Sequence, residues 1–403
     1  MTVHALELDP PRRVVALGLR QAAPNGEVAR LLLAFLASAG IYYVNIMPAL
    51  VDGLVQGAGF TNRQAGLVAS SNVYGAAFGA LAAVFLVKRI AWKPVAFGLL
   101  MGLMALDVLS MFVHVFAPLM AVRFAHGFVG GLLIGVGFSI IARTTHADRT
   151  FGYLLLVQFG LGGVGMLVLP SLVPTHGTYV LFLALLLFSI VTLAMLPFLT
   201  DYPADATPAR AAASGDGLRK GPFATSLLAT FLFQAGNMGA AAYLIGLGQS
   251  AGLAMHLISP TLAVAGWMGI AGAGLVILTA SRGGRSLPLA VAISFTAIGT
   301  WSLHYSGSAL VYVVANCLVA MTWAFGIPYL LGMCAEFDRT GQMAAVGGFA
   351  SKMGLASGPF VAAMIVGDNR YGLVLDVSVM LLVASLLAAW WPARLLDRHR
   401  QRT

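Results

Sequence analysis

Long apolar runs without charge most limit the structures that this chain can adopt. Of its 403 residues, 59% are hydrophobic and 9% are charged, which is too little charge to cover a soluble domain of this length. A helix of about 20 apolar residues crosses about 30 Å of hydrocarbon. Twelve runs are long enough, near residues 31–54, 65–87, 95–115, 118–142, 151–173, 178–198, 223–247, 257–280, 287–306, 308–333, 343–366 and 371–392.

The twelve spans are predicted to be helices, because a helix satisfies its own backbone hydrogen bonds in lipid. Residues 1–29 have no apolar core of the signal-peptide type, so we expect a cytoplasmic tail. On this topology 19 of the 23 Lys and Arg residues lie on the side of both termini. The positive-inside rule places that side in the cytoplasm of an inner (plasma) membrane. Basic residues scattered over short loops do not suggest a nucleic-acid partner.

Two sequence repeats suggest two copies of one membrane unit. Asp148-Arg149-Thr150 lies between two apolar runs, and the same tripeptide lies between two others at 338–340. Residues 56–60 are echoed at 249–253 at nearly the same offset. The stretch between the halves contains two prolines and three consecutive alanines, typical of a flexible linker. The predicted organisation is a tail (1–30), a six-helix half (31–198), a cytoplasmic linker (199–222), a second six-helix half (223–392) and a tail (393–403).

Several motifs follow one another in a characteristic order along the first half. They are Asn45-Ile46-Met47-Pro48 in the first span, Gly66, Ser70, Tyr74, Gly75 and Gly79 in the second, Lys88 to Lys93 in the following loop, Arg123 and Gly127 in the fourth, and Gly160 to Gly165 before Pro170 in the fifth. In this order they resemble the major facilitator superfamily, and the resemblance covers all twelve spans. The aspartate that usually accompanies the basic loop motif is missing between Gly79 and Lys93.

The resemblance implies an all-α membrane protein with twelve transmembrane helices in two pseudo-symmetric six-helix halves. It also implies a site between the halves near the midplane, reached alternately from either side. Glycines repeat every fourth residue at 127, 131 and 135, at 75 and 79, and at 354 and 358. Such faces let helix backbones approach closely. These glycine faces serve either static packing of the helices or sliding of the two halves, and the sequence leaves both functions open.

Intramembrane charge is costly, so Lys352 and Arg123 are the strongest functional candidates. Lys352 lies about ten residues into the eleventh span, roughly 15 Å from its cytoplasmic end. Its stem reaches about 6 Å, so we expect a wet cavity or a partner. The second half has no acid near mid-membrane, which favours an anionic substrate over a structural ion pair. A basic residue in this helix of organic-anion carriers in the family supports the hypothesis by analogy.

Arg123 in the fourth span is expected to pair with Asp52 in the first span, or with Asp107 in the third. The pair is either a structural ion pair or a proton-coupling element. In the second case the acid exchanges a proton, and Arg123 responds to the change in the charge of the acid. His126, one turn from Arg123, is a third candidate for proton coupling or a packed polar residue.

Uncharged polar and aromatic side chains complete the candidate substrate site. Each can instead serve in helix packing. They are Tyr42, Asn45, Tyr74, Gln158, Gln234, Asn237, Trp267, Asn316 and Trp323.

The predicted function is secondary transport of a small organic, carboxylate-type anion, coupled to protons or to exchange of anions. A proton-coupled multidrug or metabolite exporter is the alternative, and a membrane enzyme or a nontransporting receptor are remote ones. No nucleotide-binding loop or hydrolase motif occurs, so no enzyme activity and no cofactor are expected. Cys317 and Cys334 have no metal-binding spacing and share one helix, so neither a metal site nor a disulfide is expected. The expected partners are the solute, protons and membrane lipids, around a monomer.

Overall fold

Every element of the described chain is helical. The computed structural model describes residues 21–87, 90–202, 220–279, 284–337 and 343–400. Fifteen α-helices lie in these ranges: α1 (Glu27–Ala39), α2 (Tyr42–Asn45), α3 (Met47–Ala58), α4 (Asn62–Leu86), α5 (Trp92–Phe112), α6 (Phe116–Ile141), α7 (Ala147–His176), α8 (Tyr179–Met195), α9 (Lys220–Ala241), α10 (Leu244–Ser250), α11 (Met255–Thr279), α12 (Ser286–Ser302), α13 (Ala309–Glu336), α14 (Met343–Val366) and α15 (Tyr371–Arg400). The second Asp-Arg-Thr, Lys88, Arg89 and most of the linker lie outside the described residues.

Ten helices in the described ranges are long and apolar enough to cross a membrane, and α9 with α10 forms an eleventh span bent by 44°. The predicted first span is divided among α1, α2 and α3. Its breaks fall at Gly40-Ile41 and at Ile46. Pro48 lies in the first turn of α3, where a missing backbone N–H costs no hydrogen bond. The first span of each half is therefore interrupted.

The helices form two groups that meet along two equivalent seams. In the first half α4 packs on α6, and α5 packs on α6 and α8. In the second half α9 packs on α14 and α15, and α12 packs on α13 and α15. Between the halves α4 lies along α14, and α7 lies along α11. The first seam joins the second span to the eleventh, and the second seam joins the fifth span to the eighth. The second span is equivalent to the eighth and the fifth to the eleventh, so a two-fold relation between the halves exchanges the two seams.

The starts of α1 and α7 lie together at one face of the bundle, called here the terminal face. Glu27 at the start of α1 is 3.0 Å from Arg149 at the start of α7 and accepts a 2.6 Å hydrogen bond from Tyr153. Arg149 of the first Asp-Arg-Thr tripeptide thus forms an ion pair that links the N-terminus of α7 to the N-terminus of α1. At the other face, the distal face, the side chain of Thr61 forms a capping box with Gln64 at the start of α4.

The repeated glycines lie at contacts within each half. A Cβ at Gly75 or Gly127 would strike the backbone of the facing helix in the α4–α6 pair. A Cβ at Gly358 would strike the backbone of α9 in the same way. Both helices of each pair belong to one half, so these glycine faces lie at contacts within a half and not at the seams between the halves.

Candidate functional site

A cavity of about 170 Å³ lies between the halves. Its wall is built from α2, α3 and α7 of the first half and from α9, α10, α11 and α13 of the second. Glycines 162 and 163 on α7 and Gly266 on α11 line it, and a Cβ at Gly162 or Gly163 would strike the side chain of Asn45 or of Trp267. Among the sequence-predicted site residues, the cavity brings together Asn45, Gln158, Asn237, Asn316 and Trp323.

Three asparagines in this wall are oriented by backbone carbonyls. Asn45 Nδ2 donates to the Gln158 carbonyl at 3.1 Å. Asn237 Nδ2 donates to the Phe233 carbonyl, and Asn316 Nδ2 to the Tyr312 carbonyl, both at 2.8 Å. A carbonyl only accepts, so each partner fixes which end of the amide is nitrogen. The amide oxygens therefore have defined positions in the wall.

Two indoles flank the cavity with their N–H groups already bonded. Trp323 Nε1 donates to Gln234 Oε1 at 2.8 Å, and Gln234 Nε2 donates to Ser351 Oγ at 2.8 Å. Trp267 Nε1 donates to the Gly160 carbonyl across the seam at 3.2 Å. Gln234 and Trp267 thus support the wall and the seam, and neither lines the cavity itself.

Lys352 lies on α14 beside the chain of hydrogen bonds that ends at Trp323. Its neighbour Ser351 and, one turn on, Gly354 face α9. Phe349 and Ala356 face α4, through Phe78 and through the Ser70 hydroxyl. At 100° per residue, Lys352 projects between these two contact faces.

Two further observations describe the surroundings of Lys352, which is not among the residues that line the central cavity. A Cβ at Gly348, one turn before Lys352, would meet no described atom within 4 Å. Gly162, the position equivalent to Lys352 under the repeat offset, lines the central cavity. Lys352 is partly buried, and no acid among the described residues pairs with it.

Arg123 lies away from the cavity, inside the first half, and is 0% exposed. Its Nη1 is 2.9 Å from Asp107 Oδ1, and its Nη2 is 2.9 Å from His126 Nδ1. The guanidinium carbon lies 4.9 Å from the ring centre of Tyr43 and 5.3 Å from that of Phe182. The pairing of Arg123 with Asp52 was wrong, and the alternative partner Asp107 is the one observed.

His126 closes this buried cluster. Its Nε2 is 3.1 Å from Asp107 Oδ1, but the geometry makes no hydrogen bond. Asn72 Nδ2 lies 3.0 Å from His126 Nδ1 and donates to the Arg123 carbonyl at 2.9 Å. Asp107 and Arg123 are both 0% exposed, so any proton that reaches them must pass through the packed interior.

Asp52 lies in a separate cavity of about 270 Å³ near the distal face. The halves are joined there by hydrogen bonds between uncharged side chains. Asn62 Nδ2 donates to Asn369 Oδ1 at 2.9 Å, and Gln56 Nε2 lies 3.5 Å from Gln249 Oε1. Gln56 and Gln249 are the first residues of the two echoed segments, so equivalent positions of the two halves contact each other at this seam.

Tyr42 and Tyr74 lie outside the cavity lining. Tyr42 donates to the Leu161 carbonyl at 3.2 Å and stacks on Phe188. The Tyr74 hydroxyl is 2.9 Å from Ser357 Oγ across the α4–α14 seam. The first tyrosine thus holds α2 on α7, and the second joins the halves.

The sequence analysis missed the apolar part of the cavity wall. Phe159, Met166, Met238 and Leu262 line it, and Phe159 meets Trp323 edge-to-face at 6.0 Å between ring centres. Apolar residues occur throughout these spans, so no sequence signal distinguishes the few that face the cavity.

Metal-ligating side chains form no group of three or more among the described residues. Cys317 and Cys334 are both free thiols.

Comparison with known proteins fixes the family. The profile of the Major Facilitator Superfamily matches residues 31–363. The chain belongs to the major facilitator superfamily. The prediction of family and fold, two pseudo-symmetric six-helix halves, is confirmed. The family makes the chain a secondary transporter and a multi-pass integral membrane protein, and points away from an enzyme.

Solved structures of other members share the fold at low sequence identity. The human organic anion transporter MFSD10 (TETRAN) is 17% identical, with a TM-score of 0.67 over 91% of this chain and 100% of that one. A D-xylose–proton symporter is 15% identical, with a TM-score of 0.72 over 90% and 96% of the two chains. A partially occluded inward-open structure of the xylose transporter XylE from E. coli is 13% identical, with a TM-score of 0.69 over the same shares. No curated protein sequence matches the chain significantly.

Proposed function

We propose that this transporter moves a small organic anion of the carboxylate type through the space between its halves. The observation that carries the proposal is Lys352. It is a partly buried cation on α14, and no acid in the described chain pairs with it. The other cation within the spans, Arg123, is already neutralised by Asp107.

A lone cation inside a membrane protein is unfavourable unless a counter-charge or water stabilises it. An anionic solute at Lys352 would supply that counter-charge. Gln234, which is hydrogen-bonded to the neighbouring Ser351, lies about one helical turn before Asn237 on α9. Lys352 thus directly follows the residue that is hydrogen-bonded to Gln234, and we propose that one solute reaches both its ammonium group and the amide-lined cavity.

Alternating access is supported by where the halves meet. The hydrogen bonds of Asn62 and Gln56 join the halves at the distal face. We propose that the terminal face is cytoplasmic in an inner (plasma) membrane, because the basic residues of the loops lie there. This structure then has its outer side closed, and transport requires the distal seam to open. A monomer surrounded by lipid is sufficient for this motion.

Coupling to protons, or to exchange of a second anion, would drive the transport. Asp52 is the acid best placed to exchange a proton with the outside, because it lies at the distal seam. Asp107 and His126 form the second candidate, since protonation of the acid would release Arg123.

A multidrug or metabolite exporter remains a second candidate, favoured by one observation. The cavity wall is mostly apolar, with aromatic and methionine side chains and no charged residue among its lining. An exporter of uncharged apolar compounds would bind them in the cavity without using Lys352, so dependence on this lysine separates the two candidates.

The test is a thermal-shift screen of the purified protein against a metabolite library, repeated with Lys352→Ala. Lys220→Ala is the matched control, because it removes an exposed lysine at the start of α9. We expect organic anions to raise the melting temperature of wild type and of Lys220→Ala, and to leave Lys352→Ala unchanged. Equal stabilisation of all three by anions would refute the role of Lys352. Stabilisation by apolar neutral or cationic compounds alone would favour the exporter.

A further inference from the structure

The cavity wall holds a buried hydrogen-bond acceptor that lacks a donor. Asn237 is 6% exposed, lines the cavity, and has its amide nitrogen held by the Phe233 carbonyl. Its Oδ1 is buried and has no hydrogen-bond partner in the described chain. A buried oxygen without a donor costs free energy that a ligand hydroxyl would recover.

Neither indole N–H group beside the cavity is free to satisfy this oxygen. Both indole N–H groups beside the cavity are bonded, to Gln234 Oε1 and to the Gly160 carbonyl. Asn316 and Asn45 present further amide oxygens whose nitrogens are held by carbonyls. The wall thus has amide oxygens in fixed places, and a donor from the solute can satisfy Asn237 Oδ1.

We infer that the substrate is a hydroxylated organic acid with an apolar body. The inference rests on the proposed function, from which it takes the carboxylate at Lys352. The hydroxyl groups donate to the amide oxygens of Asn237 on α9 and Asn316 on α13. The apolar body packs against Phe159, Met238 and Trp323. The site rejects acids of the same size without a donor, because Asn237 Oδ1 is then left buried and unpaired.

A matched series of aryl acids tests the requirement for a donor. The probes are 3-phenylpropanoate, 3-(4-hydroxyphenyl)propanoate, 3-(3,4-dihydroxyphenyl)propanoate and 3-(4-methoxyphenyl)propanoate. The methoxy acid keeps the oxygen and the bulk but cannot donate. The neutral phenol 4-(3-hydroxypropyl)phenol keeps the donor and lacks the carboxylate. Dissociation constants are measured by isothermal titration on wild type, Lys352→Ala, Asn237→Leu, Asn316→Leu and the control Gln21→Leu, which removes an exposed amide.

We expect the hydroxylated acids to bind wild type and Gln21→Leu about tenfold more tightly than 3-phenylpropanoate or the methoxy acid. Asn237→Leu should remove this preference, so that the hydroxylated acids bind this variant no more tightly than 3-phenylpropanoate does. Equal binding of the hydroxylated and methoxy acids to wild type, or no binding by any hydroxylated member, would overturn the inference. These results use wild type alone, so they stand even if a variant fails to fold.

Failure of the proposed function has a different signature. If 4-(3-hydroxypropyl)phenol binds as tightly as the hydroxylated acids, and Lys352→Ala changes neither, the anion proposal is wrong while the need for a donor is supported. If the acids depend on Lys352 but show no preference for a hydroxyl, the anion proposal is supported and the inference of a hydroxylated substrate is wrong.

Discussion

The buried Arg123–Asp107 pair gives a quantitative prediction for Asp107→Asn. The substitution keeps the shape of the side chain and removes its charge, so Arg123 is left at 0% exposure without an acid. Removing one partner of a buried ion pair costs about 3–5 kcal/mol. The rings of Tyr43 and Phe182, at 4.9 and 5.3 Å from the guanidinium carbon, still stabilise the cation. We therefore expect the lower end, about 3 kcal/mol.

The assay is the apparent melting temperature of the purified protein in detergent, followed by tryptophan fluorescence. A loss of 3 kcal/mol corresponds to a fall of roughly 6–12 °C for a half of this size. The control is Asp376→Asn, because Asp376 is 56% exposed and lies 3.0 Å from the partly buried His304. A surface pair of this kind contributes at most about 1 kcal/mol.

The double substitution Asp107→Leu with Arg123→Leu separates the cost of an unpaired charge from the value of the pair. Replacing both charges by apolar groups removes the uncompensated cation, so the double variant should melt above Asp107→Asn. If Asp107→Asn melts no lower than Asp376→Asn, Arg123 does not depend on Asp107 and the burial argument fails. A double variant less stable than Asp107→Asn would contradict it equally.

Three further predictions concern packing, capping and pH. Gly127→Leu should destabilise the folded protein by about 1–3 kcal/mol or more, because the new side chain strikes the backbone of α4. The control Gly98→Leu, where the space is open, should melt no lower than wild type. Thr61→Ala should cost about 1 kcal/mol by removing the capping box of α4, measured as a lower melting temperature. The hydrogen bond from Tyr153 holds the pKa of Glu27 below its ordinary value. Ionised Glu27 therefore stabilises the fold at a pH above the ordinary pKa, and this stabilisation is lost as the pH falls through the lowered pKa. Glu27→Gln should therefore flatten the acid side of a plot of melting temperature against pH, and an unchanged acid limb would rule this out.

The fold was largely predictable from sequence, because hydropathy and glycine spacing act locally. Eleven of the twelve predicted apolar runs correspond to the ten spanning helices and the bent pair α9–α10. The interruption of the first span was not predicted, because α1, α2 and α3 form one continuous apolar run. Glycine positions 75 and 127 predicted a close helix approach but not its partner, which depends on how helices assemble within a half.

The candidate site was predictable in part. Asn45, Asn237 and Asn316 could be proposed because polar side chains are rare in apolar spans, and all three line the cavity. Charge alone did not identify the partner of Arg123, since Asp52 and Asp107 lie at comparable depth along their helices. Their separation between the distal seam and the interior of the first half follows from helix packing. Whether Lys352 binds substrate stays a prediction.

Transport through alternate opening of the halves is tested most directly by locking the distal seam. Asn62 and Asn369, which are hydrogen-bonded across it at 2.9 Å, are replaced by cysteine as a pair, and uptake of the anion found in the thermal-shift screen is followed in proteoliposomes. We expect oxidation to stop uptake and a reducing agent to restore it, while each single cysteine variant transports under both conditions. Undiminished uptake by the oxidised pair, once cross-linking is verified by mass spectrometry, would contradict transport by opening of this seam.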